Sequence, residues 1–468
     1  MSDDLTWLPA WRIRELIGKG DVSPVEVVDH FLGRIEELDP KLQAFAHLDA
    51  DGAREQAQRA ERAVARGDEL GPLHGLPTAV KEHIAVEGMP RLGLMFAGGG
   101  APKVSSRDDF GIERLRKAGA IIVGTNTMMA SGATLSMGDT PGVFEGFNWD
   151  VEARNPWDTS KVPGWSSAGG AASAAAGLLP FTIGSDGGGS TRLPAAYSGV
   201  VGVHPTGNLM PEVDYSAPSL PSGTTIGPLA RSVRDCAIVT QVMAGPDGRD
   251  PFCLPIDPPS YLEHLDDGVD GWRFAWTDDF GYGSVYASPD SPEVIETVRT
   301  AAMGLSSLGA TVEVTDEVWE DWTPHQMTTA AAFAPAFPGM EKPGPEQLQA
   351  AFELRARNVD RFRRIIGPQT LLLSPTSQRV ARSVEEWNAA WTTEGHTYHG
   401  GSFAPTYTAL TAMFNWLKFP ALSVPCGFVD GLPVGLQIIG LPGSEDAIFR
   451  AAQAFQQAFP REERPPVS

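Results

Sequence analysis

Two serine clusters carry residue types that could do nucleophilic chemistry. Ser166 and Ser167 lie in P-G-W-S-S-A-G-G (163–170), and Ser190 closes the run S-D-G-G-G-S (185–190). A hydroxyl beside several unhindered backbone N–H groups suits acyl transfer, because those groups can hold the oxyanion that attack on a carbonyl creates. Gly187, Gly188 and Gly189 leave their N–H groups able to converge with that of Ser190. The bland alternative is a phosphate-binding glycine loop. That loop would need G-x-x-x-x-G-K-[ST], which is absent; Thr191 and Arg192 follow Ser190 instead.

The residues between the clusters say how they meet. Ala171 to Ala176 are small and mostly good helix formers. Leu178 to Ile183 is a short apolar run with a β-branched end, suited to a buried strand. One cluster therefore precedes a helix, the other follows a strand, and both can reach one edge of a sheet. A serine nucleophile also needs a base. There is no G-x-S-x-G, and no lysine has a serine three positions before it. Lys81 ends the apolar run Leu76–Val80, where burial would disfavour its charge and make it basic near neutral pH. A surface position is the commoner fate of a lysine, and the residues alone leave both open.

These stretches resemble the amidase signature family of serine hydrolases, which includes fatty acid amide hydrolase, bacterial aryl acylamidases and the glutamyl-tRNA amidotransferase A subunit. The resemblance rests on S-S-x-G followed by D-x-G-G-S-x-R-x-P-A. It extends to G-P-L-H-G-L-P-T-A-V-K (71–81), R-N-P-W-D (154–158), G-P-L-A-R-S-V-R-D (227–235) and F-P-A-L-S-V-P-C-G-F with G-L-P-V-G-L-Q-I-I-G (419–440). It covers about residues 10 to 460 and is weakest between roughly 320 and 400. It implies that Ser190 is the nucleophile and Lys81 the base. Ser166, preceded by a cis Trp165–Ser166 peptide, would carry protons between them. Gly187, Gly188 and Gly189 would form the oxyanion hole with the Ser190 N–H, and Ser167, Asp186 and Arg192 would support the loop. For Ser167, helix capping is a second reading.

The activity so implied is an amidohydrolase that cleaves C–N bonds through a Ser190 acyl-enzyme, with no metal or other cofactor. Apolar aryl amides, anilides and carbamates (urethanes) are the favoured small-molecule substrates, as in aryl acylamidases and urethanase-type members. Met89, Met95, Met128, Met129 and Met137 follow Lys81 and could line an adaptable pocket, although core packing is the plainer reading. Trp165 stands where the family usually has Gly, and either walls the acyl pocket or packs in the core. Two alternatives remain: an amidotransferase A-type subunit that works on glutamine in a complex, and a non-catalytic scaffold of the same fold.

Composition narrows the partners. The net charge is −22 with no basic block, so nucleic acid is not an expected ligand. The three cysteines make no C-x-x-C, which suits reduced thiols in a cytoplasmic protein. The N-terminal M-S-D-D-L-T-W has neither a basic nor an apolar signal region, and no apolar stretch is long enough to span a membrane. Monomer and homodimer are both compatible with the sequence. His396-Thr397-Tyr398-His399 has weak metal-like spacing and is read as surface loop.

Taken in order, Ser23-Pro24-Val25-Glu26 predicts a capped helix start. Helices are expected at 53–65, 108–119, 293–308 and 445–459. Strands are expected at 120–124, 272–276, 311–314, 370–373, 421–424 and 435–439. Strands alternating with helices predict a single α/β/α sandwich around a mixed, mostly parallel twisted sheet. One domain would span 1–468, with 320–400 as a variable insertion and surface loops at 246–260 and 333–347.

Overall fold

A computed structural model describes residues 5–91, 103–128, 152–212, 223–325, 332, 342–387 and 407–467. The predicted capping box opens helix Pro24–Leu42: Glu26 N donates to Ser23 Oγ at 3.1 Å and Ser23 N donates to Glu26 Oε2 at 2.8 Å. Helix Ala50–Arg66 buries only Ala53, Ala57 and Ala60, so its charged face stays in solvent.

Strands β1 (Phe45–Leu48), β2 (Pro77–Lys81), β5 (Ile121–Asn126), β6 (Phe181–Asp186), β7 (Val201–His204) and β8 (Thr225–Ala230) build one half of the central sheet. Strands β9 (Arg273–Trp276), β10 (Thr311–Val314), β11 (Thr370–Pro375), β12 (Ala421–Val429) and β13 (Leu432–Ile439) build the other. β3 (Pro90–Arg91) and β4 (Lys103–Val104) pair separately. Among the described residues the large sheet has eleven strands in the order β1-β5-β2-β6-β8-β7-β12-β13-β11-β9-β10.

The sheet is mixed, but its parallel pairing is confined to β5-β2-β6 and β11-β9-β10. The remaining pairs are antiparallel. The mostly parallel sheet expected from strand–helix alternation is corrected accordingly. One of these pairs has a local cause: β12 and β13 join through a tight turn at Asp430 and Gly431, both with positive φ, and a short hairpin can only be antiparallel. Part of the stretch expected as a variable insertion at 320–400 belongs to the central sheet. Its strand β11 sits between β13 and β9, bonded to both.

A large apolar core packs the helices onto the sheet. A second, aromatic-rich cluster includes Phe280, Trp319, Phe362 and Phe414. Helix Ala168–Ala175, which follows the first serine cluster, is buried along its whole length. Its small residues make that possible. A Cβ at Gly169 would lie 2.4 Å from the Ala44 carbonyl oxygen and 2.8 Å from Thr127 N, closer than any side chain is tolerated. Among the described residues no helix is long and apolar enough to cross a membrane. Cys236, Cys253 and Cys426 are free thiols.

Candidate active site

Lys81 is the last residue of β2, and β2 runs parallel to β6 with Val80 opposite Ile183. Continued by one residue, that register sets Lys81 beside Gly184, from where its side chain reaches Ser185 and the loop that β6 leads into. The side chain is 2% exposed. Its Nζ lies 2.6 Å from Ser166 Oγ, 3.1 Å from Ser185 Oγ and 3.3 Å from the Ser185 carbonyl oxygen. No carboxylate among the described residues forms an ion pair with it. Burial lowers its pKa to about 7, against the opposing pull of Asp186 and Glu82. A lysine in this setting exchanges its proton near neutral pH. Glu82, also buried, is pushed up to about 7; the Met128 N–H, which donates to its Oε1 at 2.6 Å, and Lys81 pull the other way.

The second serine cluster is built by a different interaction. Asp186 and Arg192 are both fully buried and form a salt bridge in which Nε meets Oδ2 and Nη2 meets Oδ1, each at 3.0 Å. Asp186 also accepts from Gly189 N at 2.6 Å, Thr191 N at 3.1 Å and Thr191 Oγ1 at 2.8 Å. Arg192 reaches on to Asn415 Oδ1, Gln437 Oε1 and the Thr411 carbonyl oxygen. Burial alone would raise the Asp186 pKa, but the Arg192 charge and these donors hold the carboxyl well below the usual carboxylate range. Such a pair fixes its loop. Gly189 takes φ 120°, and a Cβ there would meet Thr411 Oγ1 at 2.3 Å, so the turn into Ser190 admits only glycine.

Ser190 is 5% exposed, one residue before Thr191 and helix Arg192–Ser198. Its carbonyl oxygen accepts from Ser167 N at 3.2 Å, which ties the two serine clusters together. Of the expected oxyanion donors, Gly189 must be withdrawn, because its N–H is spent on Asp186. The charged carboxylate is the stronger acceptor. Gly187, Gly188 and Ser190 keep N–H groups without a hydrogen-bond partner among the described residues.

Further expectations meet the structure here. Every peptide bond among the described residues is trans, Trp165–Ser166 included, so the implied cis bond is corrected. Trans is the low-energy form for a non-proline amide, and in it Ser166 already reaches Lys81. Ser166 Oγ makes no hydrogen bond to Ser190. Ser167 does not cap its helix through its side chain. Its hydroxyl donates to the Ser185 carbonyl oxygen at 3.2 Å and sits 3.4 Å from Ser185 N, a cross-link onto β6. Trp165 is half-buried, stacked on Tyr407 at 6.0 Å and edge-on to Trp387 at 5.6 Å. Met89 and Met128 are buried. Met95, Met129, Met137 and the 396–399 stretch lie outside the described residues.

Ser185 and His83 escaped the sequence reading. His83 Nε2 lies 3.1 Å from Ser185 Oγ. Neither had a signal in the sequence: Ser185 is reached by the Lys81 side chain across the paired strands β2 and β6, and His83 follows two residues after Lys81. Asn415, Thr411 and Gln437 had no local signal, since each arrives from more than 200 residues away. Among the described residues, no three His, Cys, Asp or Glu side chains gather as they would to hold a metal ion.

Known proteins resemble this chain along nearly its whole length. The family profile described as Amidase matches residues 26–335 and 339–449. The chain is 32% identical over 513 residues to the glutamyl-tRNA(Gln) amidotransferase A subunit of Geobacillus thermodenitrificans (strain NG80-2), covering 97% of this chain and 98% of that one. It is 28% identical over 493 residues to the acylamidase of Rhodococcus erythropolis, covering 100% and 98%. A solved bacterial aryl acylamidase of the amidase signature enzymes superposes with a TM-score of 0.81 at 26% identity, over 98% of each chain. The chain therefore belongs to the amidase family, as an amidase signature enzyme acting on amides.

Proposed function

We propose that this amidase cleaves apolar aryl amides, anilides and N-aryl carbamates through an acyl-enzyme on Ser190. The observation that carries the reading is the buried Lys81 amine, 2.6 Å from Ser166 Oγ and without a carboxylate partner among the described residues, beside the glycine loop that bears Ser190. Ser190 attacks the carbonyl while its proton passes through Ser166 to neutral Lys81. The oxyanion is held by the N–H groups of Gly187, Gly188 and Ser190. Protonated Lys81 returns the proton through Ser166 to the departing amine, and water then releases the acyl group by the reverse path.

The aromatic wall of Trp165, Trp387 and Tyr407, which starts one residue before Ser166, favours a flat apolar substrate. An N-aryl carbamate presents the same carbonyl and nitrogen leaving group as an anilide. Its alkoxy oxygen makes the carbonyl less electrophilic, so protonation of the amine carries more of the barrier. C–N cleavage releases an arylamine and leaves a carbonate-type acyl-enzyme, which water converts to carbon dioxide and alcohol. The test is mass spectrometry of the products from soluble anilides and N-aryl carbamates, with arylamine release expected from both and abolished in Ser190→Ala. Release from anilides alone confines the enzyme to amides.

A second reading has its own support: amidotransferase A subunits are among its relatives at 32% identity over nearly the whole chain. On that reading the amide is glutamine, and the enzyme works in a complex. Ammonia release from glutamine with no arylamine from any anilide selects it.

A further inference from the structure

Behind Lys81 lies a second, unassigned chain of polar atoms. Ser185 Oγ is 3.1 Å from Lys81 Nζ and 3.1 Å from His83 Nε2, and among the described residues these are its only hydrogen-bonding neighbours. A hydroxyl has one proton to give. If His83 carries its proton on Nε2, it donates to Ser185, and the Ser185 proton has only the Lys81 nitrogen to bond. That would occupy the lone pair a base needs. If Nε2 is bare, Ser185 donates to His83 and accepts from Lys81.

We propose that His83 is a positioning residue whose bare Nε2 takes the Ser185 hydroxyl proton, leaving the lone pair of neutral Lys81 aimed at Ser166. This rests on the reading of Lys81 as the base for Ser190. The same orientation serves both protonation states of the amine. Neutral Lys81 donates its two N–H groups to Ser185 Oγ and the Ser185 carbonyl oxygen, at 3.1 and 3.3 Å, and accepts from Ser166 at 2.6 Å. Protonated Lys81 donates to all three, with no change at Ser185 or His83. His83 Nδ1 has no partner among the described residues in either tautomer, so that atom does not choose between them.

The charged and titratable groups around this chain are Glu82 beside Lys81, Asp186 at the end of β6, and Arg91 on β3. Arg91 Nε donates to the His83 carbonyl oxygen at 2.7 Å. Burial, with Lys81 and Arg91 adding to it, keeps the His83 pKa well below its ordinary value, so the ring is neutral when the enzyme works.

Two measurements test the assignment. The first needs no active variant: long-range proton–nitrogen correlation spectra of the full-length protein labelled with nitrogen-15 histidine, the His83 signal being identified by its loss in His83→Gln. A proton on Nδ1 and a bare Nε2 are expected; a proton on Nε2 overturns the proposal. The second is the pH profile of kcat/KM for arylamine release from 4-nitroacetanilide. His83→Phe should lower the plateau by about tenfold or more and move the acid limb to lower pH, because the Ser185 proton then bonds the neutral form of Lys81. His83→Gln, which restores an acceptor, should recover most of the rate. A His83→Phe profile equal to wild type, or a His83→Gln loss as large as that of His83→Phe, overturns it. The spectrum reports on His83 alone, whereas failure of the Lys81 base reading is read separately, from retained turnover in Lys81→Ala.

Discussion

Two buried cations flank the same loop and are treated in opposite ways. Arg192 has a carboxylate, Asp186, at 3.0 Å through two contacts, and further acceptors from Asn415, Gln437 and Thr411. Among the described residues, Lys81 has two hydroxyls and one carbonyl oxygen as partners. The paired guanidinium holds its loop in one shape through these bonds. The unpaired amine pays for its burial with its charge and becomes exchangeable at about pH 7. Placing a buried cation thus says little about its role; its partners decide whether it braces or reacts.

The largest expected effect lies on the Lys81 side. Ser190→Ala and Lys81→Ala should each lower kcat by about a thousandfold or more, and the double variant should be little worse than either single one. Steady-state kinetics check the rates, and calorimetry should find Ser190→Ala melting close to wild type. Near-normal turnover in Lys81→Ala would falsify the reading of Lys81 as the base. Arg192→Ala should act mainly on the fold. It strands the Asp186 carboxylate in the interior, so a stability loss of about 3–5 kcal/mol is expected in urea, with activity falling alongside.

Removing the amine should have the opposite sign. The unfolded lysine holds its proton up to about 10.5, while the folded one releases it near 7. Between those values the unfolded state binds more protons, so stability rises with pH. The cost of burying Lys81 is therefore full below about 7 and gone above about 10.5. Lys81→Met should be more stable than wild type at pH 7 by an amount on the order of a few kcal/mol, and the gap should narrow at pH 9.5. In the wild type, kcat/KM should rise through a single ionisation near 7 as the neutral amine appears. Glu82 titrates in the same range, with the reverse linkage: its raised pKa favours the folded state at low pH and loses that effect as pH climbs to about 7. An acid limb that survives in Glu82→Gln belongs to Lys81; one that disappears belongs to Glu82.

The smallest effect is at Trp165, which is only half-buried. Trp165→Gly should cost about 1–2 kcal/mol, below the range for a fully buried Trp, while reordering activity among anilides of different width. A larger loss of stability with unchanged substrate order would make the residue part of the core.

Much of the site was legible because its chemistry is carried by short contiguous runs. The glycine run before Ser190, the Ala-rich helix after Ser167 and the apolar approach to Lys81 each follow from local rules of flexibility, propensity and burial. Strands such as Thr311–Val314 and helix Glu445–Ala458 were readable for the same reason. Helix Pro345–Ile365 was not, because its first turn lies within the Pro- and Gly-rich run at 333–347, which reads as a loop.

What the amino-acid order settled is which groups are available: two serine clusters, one lysine after a buried strand, and a loop able to present N–H groups. Tertiary structure decided what each group is free to do. Asp186 takes the Gly189 N–H that local sequence offered to an oxyanion. Residues more than 200 positions away complete the cage around Arg192. The parallel register of β2 and β6 sets Ser185 and His83 behind the Lys81 amine. Partner choice among buried polar groups depends on distances between segments remote in sequence, and only the packed sheet sets those distances.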